Sequence, residues 1–287
     1  MMRSETQIKT LLLDVARHDD RIRAVLLNGS RADAASIQDA YQDFDVVYVV
    51  KKVDDFTTNH QWIDAFGPTI ITQLPDEMSL EHTSQVSFSY LMLFTDGNRI
   101  DLTLYPVNQV QPNYWPDSLT VCWLDKDSLF TNLAKPTNAD YLIRKPTLQE
   151  FRDTCNEFWW VRTYVVKGLC RQQIPYAKEM METVVRPQLM RMISWQIGAQ
   201  NRFSVPFGKS GRLIRHFLGE AFYQQVLATY ADANIESNWR ALISMTELFA
   251  QLSTDVASQL GFVLNWQEIQ QTQRYIRQRY ESHDQPG

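Results

Sequence analysis

At 287 residues the chain exceeds one average domain, and 44% apolar residues with only 10 glycines and 11 prolines exclude a disordered or fibrous protein. Lys and Arg number 28 against 33 Asp and Glu, a formal charge of -5 that opposes nonspecific adhesion to nucleic acid or an anionic membrane and suits a cationic partner. Cys122, Cys155 and Cys170 are odd in number and form no CxxC pair, so buried free thiols are expected rather than a disulfide framework or a zinc site.

Residues 4–18 place Ile8, Leu11, Leu12 and Val15 at helical spacing behind Ser4 as N-cap. This opening carries no apolar core of signal-peptide length, and no long uncharged apolar run follows anywhere, so a cytoplasmic protein without a membrane partner is expected. Residues 22–27 read as a strand that ends at Asn28-Gly29-Ser30, where glycine permits a tight turn. Residues 45–50 are apolar and largely β-branched after Asp45, the pattern of a strand buried on both faces. Further strands are expected at 69–73, 87–94 and 99–104, the last two joined by a hairpin turn at Thr95-Asp96-Gly97-Asn98, with an edge strand at 121–124. Prolines and polar residues at 135–147 then break the periodicity, and helical spacing recurs over 147–171, 175–198, 209–229, 234–260 and 266–281. The expected fold is α+β, with a mixed sheet and flanking helices over residues 1–140 and a helical bundle over 141–287.

Chemistry concentrates in the first of these units. Asp43 and Asp45, two apart at the head of a strand, project to one face, and Asp101 stands on a neighbouring strand. Crowded carboxylates resist ionisation unless a cation compensates, and magnesium favours hard oxygen ligands while offsetting charge on a transferred phosphoryl group. The turn at Gly29 and Ser30 supplies close backbone approach and hydrogen-bond donors for a phosphate. By itself an Asp-x-Asp at a strand start is more often turn chemistry; the Gly-Ser element and Asp101 change that weighing. Arg31 either neutralises a triphosphate or pairs with a surface carboxylate.

Gly-Ser, a gap of twelve residues, Asp-x-Asp and a later strand aspartate resemble the DNA polymerase beta-like nucleotidyltransferase superfamily. Over most of the chain, NGSRAD, QDFDVVYVV, FSYLMLF, IDLTLYPV, RKPT, CNEFWW, VKGLCR and RMISWQIG resemble the aminoglycoside 6-adenylyltransferases, the streptomycin-modifying family. The resemblance implies ATP as co-substrate, Mg2+ held by Asp43, Asp45 and Asp101, phosphate contacts from Gly29 and Ser30, and AMP transfer to an aminoglycoside hydroxyl, giving antibiotic resistance. It leaves open whether Asp101 is metal ligand, base or both.

In the helical half, Lys209 lies among glycines ahead of an expected helix, suited to triphosphate charge or simply a solvated turn residue. Glu157, with Asp153 one turn away and Trp159 beside it, offers carboxylates and an aromatic face to a cationic sugar, although Phe158, Trp159 and Trp160 also suit a bundle core. Rival expectations are a nucleotidyltransferase with another small-molecule or protein acceptor, and a noncatalytic, antitoxin-like module. The acidic chain lacks the basic stripe a polynucleotide needs, and the oligomeric state is left open.

Overall fold

The structure, a computed structural model, describes residues 2–33, 39–79 and 86–282. It divides into two compact units, Met1–Asp140 and Tyr141–Gly287.

The first unit opens with α1 (Glu5–His18), whose Ser4 hydroxyl accepts from the Gln7 amide while the Gln7 side chain returns to the Ser4 amide. Then follow β1 (Ile22–Asn28), β2 (Phe44–Val50), the short α2 (Asp54–Thr57), β3 (Thr69–Gln73), β4 (Phe88–Phe94), β5 (Arg99–Pro106) and β6 (Thr120–Asp125). The sheet runs β3-β4-β5-β2-β1-β6, with β2 and β5 parallel and the other neighbours antiparallel. The mixed sheet expected from sequence is therefore present, and β6 is an edge strand beside β1.

Why β2 reads as a nearly unbroken apolar run is clear from its two faces. Phe44, Val46, Tyr48 and Val50 join Ile8 and Leu12 of α1 in one core, while Val47 and Val49 join Ala24, Leu26 and Phe130 in a smaller cluster on the opposite face. Each such buried side chain contributes roughly 1.5–3 kcal/mol, so the register that satisfies both faces is strongly preferred. The Tyr48 hydroxyl donates to the Leu12 carbonyl at 2.7 Å, tying α1 to the strand. Alternation fixes the address of Asp45: it shares the face of Val47 and Val49, beyond the edge of the smaller cluster.

The second unit comprises α3 (Leu148–Cys170), α4 (Ile174–Glu179), α5 (Arg186–Gln200), α6 (Ile214–Phe217), α7 (Glu220–Leu227), α8 (Ile235–Leu260) and α9 (Trp266–Ser282) around a core that includes Phe158, Leu189, Trp239 and Phe249. Thr147 and Glu150 close a capping box at the start of α3. Two departures from the expected helices have local causes. A π-helical turn, Met180–Val185, links α4 to α5, widening the helix just before Pro187, which lacks an amide hydrogen and crowds the preceding turn. The single helix expected over 209–229 is instead a 3-10 turn, Lys209–Gly211, then α6 and α7, because Gly208, Ser210 and Gly211 all hold positive φ and interrupt the ladder.

The three cysteines are free, but only Cys155 is buried; Cys122 is half-buried and Cys170 exposed, because the last residue of α3 has turned away from the core. Among the described residues no helix is long and apolar enough to cross a membrane.

Candidate active site

Asp45 and Asp101 are direct partners in the parallel register of β2 and β5, and Asn28 is the partner of Asp45 across the antiparallel pair with β1. Partners across neighbouring strands project to the same face, so Asn28, Asp45 and Asp101 form a row at one end of the sheet. Asp43 precedes β2 by one residue and lies within reach of the same charges. Burial, then Asp101 and Asp43, push the Asp45 carboxyl from 3.8 up to about 6, with Asp117 adding to the rise and Arg99 opposing it. The three carboxylates predicted from sequence are thus electrostatically one group.

Arg99 belongs to that group as well. Its Nε and Nη2 donate to Asp101 Oδ1 and Oδ2 at 2.8 and 2.7 Å, and its Nη1 lies 3.7 Å from Asp43 Oδ2. Among the described residues no three acidic, histidine or cysteine side chains are gathered as a ready-made metal cage. In the carboxylate trio a guanidinium takes part of the space such a cage would need.

The turn Gly29–Ala32 carries the chain from β1 across this face. Gly29 holds φ at +73°, and a Cβ built there would lie 2.5 Å from Asp45 Oδ2, so only glycine lets the backbone pass the carboxylate. Its amide donates to the Leu119 carbonyl at 3.0 Å, pinning the turn to the approach of β6. The Ser30 hydroxyl is within 3.4 Å of Gln42 Nε2. Of the two roles open to Arg31, a phosphate contact or a surface carboxylate pair, the structure shows the second, with Glu5, among other contacts. Its Nε and Nη2 donate to the carbonyls of Asp43 and Gln42 at 2.9 and 2.7 Å, Nη1 to Glu5 at 3.2 Å, and its guanidinium lies 3.8 Å from the centre of the Phe44 ring. A side chain so fully engaged braces the entry of β2 and thereby holds Asp43 in place.

On the second unit the expected acceptor residues separate. Glu157 is exposed on α3, and Asp153 is exposed one turn earlier, accepting from Gln149 at 2.7 Å and lining a cavity of about 540 Å³ with Arg144, Lys145 and Arg191. Trp159 is only 3% exposed, packed between Phe158 and Phe249 with the Arg162 guanidinium 4.0 Å from its ring centre. It is chiefly a core residue, although it also borders a cavity of about 460 Å³ with Asn156 and Glu268. Lys209 is exposed at the start of its 3-10 turn, a shorter element than the helix expected there.

Sequence reasoning missed Arg99, Asp117 and Thr120. The Thr120 hydroxyl bridges Asn28 Oδ1 at 2.9 Å and the Asp117 carbonyl at 2.7 Å, fixing the end of the row. Only Arg99 left a local signal, an arginine two positions before a strand aspartate and hence on its face. As a donor set the trio offers a divalent cation hard carboxylate oxygens, and burial together with the charges of Asp101 and Asp43 raises the Asp45 carboxyl, a rise such an ion would oppose.

The family model described as "Streptomycin adenylyltransferase" matches residues 2–279. The chain is similar to an aminoglycoside 6-adenylyltransferase of Campylobacter jejuni, 40% identical over 261 residues that cover 91% of each chain. It is also similar to one of Bacillus subtilis (strain 168), 38% identical over 263 residues that cover 91% of this chain and 93% of the relative. A crystal structure of an aminoglycoside 6-adenyltransferase from Bacillus subtilis matches with 34% identity over 97% of this chain and 99% of that one, at a TM-score of 0.49.

Proposed function

The chain belongs to the streptomycin adenylyltransferase family, and on that premise we propose that this aminoglycoside nucleotidyltransferase moves AMP from ATP to the 6-hydroxyl of streptomycin with magnesium as cofactor. The observation that carries the finer reading is the carboxylate trio, in which Asp101 and Asp43 act on a buried Asp45 beneath a glycine turn that touches it.

Asp43, Asp45 and Asp101 would hold magnesium, which when bound supplies a Lewis acid that offsets charge on the transferred phosphoryl group. Gly29 keeps the turn low enough for a phosphate to approach the backbone, and the Ser30 hydroxyl donates to it. The acceptor hydroxyl attacks the α-phosphorus in line: its oxygen–phosphorus bond forms as the bond to the bridging oxygen breaks and pyrophosphate leaves. The hydroxyl proton passes to a carboxylate of the trio. On the second unit Lys209 is the candidate for phosphate charge, and Glu157 with Asp153 for the cationic groups of the acceptor, since exposed carboxylates pair with guanidinium and ammonium.

The test is mass analysis of streptomycin after incubation with the protein, ATP and magnesium, beside a panel of other aminoglycosides. A gain of one adenylate on streptomycin is expected, and expression in a sensitive bacterium should raise streptomycin tolerance. A gain on another aminoglycoside but not on streptomycin would reassign the acceptor; no gain on any would overturn the proposal.

A further inference from the structure

We infer that Arg99 is a resident counter-cation of the carboxylate trio, holding Asp101 and Asp43 in the metal-free protein and yielding Asp101 when a divalent ion takes the same oxygens. The inference rests on the metal-site reading above and assigns a positioning role to a residue outside it.

Strand geometry puts Arg99 there. It opens β5 two residues before Asp101 and so projects to the same face, and the parallel register pairing Phe44 with Ile100 sets Asp43 across from Arg99, as Asp45 stands across from Asp101. The planar fork occupies both oxygens of Asp101, at 2.8 and 2.7 Å, and reaches to 3.7 Å from Asp43. Its salt bridges among the described residues are to these two carboxylates, so it staples no other element to the sheet.

Two features make the contact exchangeable rather than permanent. The Arg99 side chain is 45% exposed, and a half-solvated ion pair is weak enough to release without loss of the fold. A divalent ion drawn to Asp101 would meet a full positive charge on that same carboxylate, so ion and guanidinium compete for one acidic group. Arg99 thus keeps a cation beside Asp101 and Asp43 until the ion arrives.

The experiment uses the chelator-treated full chain without nucleotide, titrated calorimetrically with Mn2+ as the probe, in the wild type and the variants Arg99→Gln, Arg99→Lys and Asp45→Asn. Arg99→Gln should bind Mn2+ about tenfold more tightly than the wild type, because competition between like charges is removed. Arg99→Lys, which keeps the charge but loses the fork, should fall between them. Arg99→Gln should also melt below the wild type in chelator and gain more from the same Mn2+ concentration than the wild type does, whereas loss of a merely structural contact would leave the two gains equal. Equal or weaker Mn2+ binding by folded Arg99→Gln would overturn the role. If Arg99→Gln folds under neither condition, Arg99→Lys decides: tighter binding than wild type supports the inference, and equal or weaker binding overturns it. Wild-type protein that shows no Mn2+ binding sensitive to Asp45→Asn would instead remove the metal-site reading, and this inference with it.

Discussion

Gly29 and Asp45 meet so closely that the glycine's missing side chain is part of the site: a Cβ would stand 2.5 Å from a carboxylate oxygen, on a backbone at φ +73°. Gly29→Ala therefore suffers both the left-handed backbone penalty and displacement of Asp45. The expected result is a loss of more than about 1 kcal/mol in denaturant unfolding, with adenylyl transfer falling at least tenfold. Asp45 carries a second prediction. Its folded carboxyl titrates at about 6 against an ordinary 3.8, so between these values the native chain holds a proton that the unfolded chain has released. Its contribution to stability is thus complete below the lower value and lost as pH rises through the upper one. In chelator, the melting temperature of the wild type should fall more between pH 5 and 7 than that of Asp45→Asn, and equal slopes would contradict the assignment. At this scale the three aspartates, Gly29 and Ser30 were legible because their spacing survives in one dimension. Asp117 was not, since its charge reaches Asp45 only where the chain, having left β5, comes back to the approach of β6.

Among the elements, strands were the more readable, because β2 and β5 are defined by which residues can be buried, with Asp43 just ahead of β2 and Pro106 closing β5. Helical spacing also located α8 and α9, but it misread 209–229, where apolar spacing survives while the positive φ of Gly208, Ser210 and Gly211 divides the stretch, and spacing alone is blind to that cost. Arg31 illustrates the same limit, for its contacts with the carbonyls of Gln42 and Asp43 come from the path of the chain into β2. The helical unit offers its own prediction at Arg162. This fully buried side chain donates to Thr246 at 3.1 Å, but its Nε and Nη2 have no hydrogen-bond partner, and burial lowers its pKa to about 9. Thr246 keeps its bond to the Leu242 carbonyl without it. Arg162→Met should therefore raise stability by about 1 kcal/mol in denaturant unfolding, because removing a buried charge that lacks an ionic partner outweighs the lost contact with the Trp159 ring. A large loss would mean that the cation is balanced by something bound beside it.

For the whole molecule, composition and site agree. A chain at -5 repels polyanions, and the triphosphate of the proposed reaction is compatible with that charge if divalent cation and cationic acceptor supply positive charge locally. Placing carboxylates at the end of a buried sheet also explains how one architecture can be firm and electrostatically strained at once: β1, β2 and β5 are fixed by their cores, and the strained oxygens lie just past the smaller one. In the proposed reaction Asp45 serves transfer rather than folding. The direct measurement is the rate of adenylyl-streptomycin formation at saturating ATP and magnesium for the wild type and for Asp45→Asn of matched far-ultraviolet circular dichroism. Asp45→Asn should lose at least about a thousandfold with the fold intact; a folded Asp45→Asn protein retaining a rate within tenfold of wild type would remove Asp45 from the reaction.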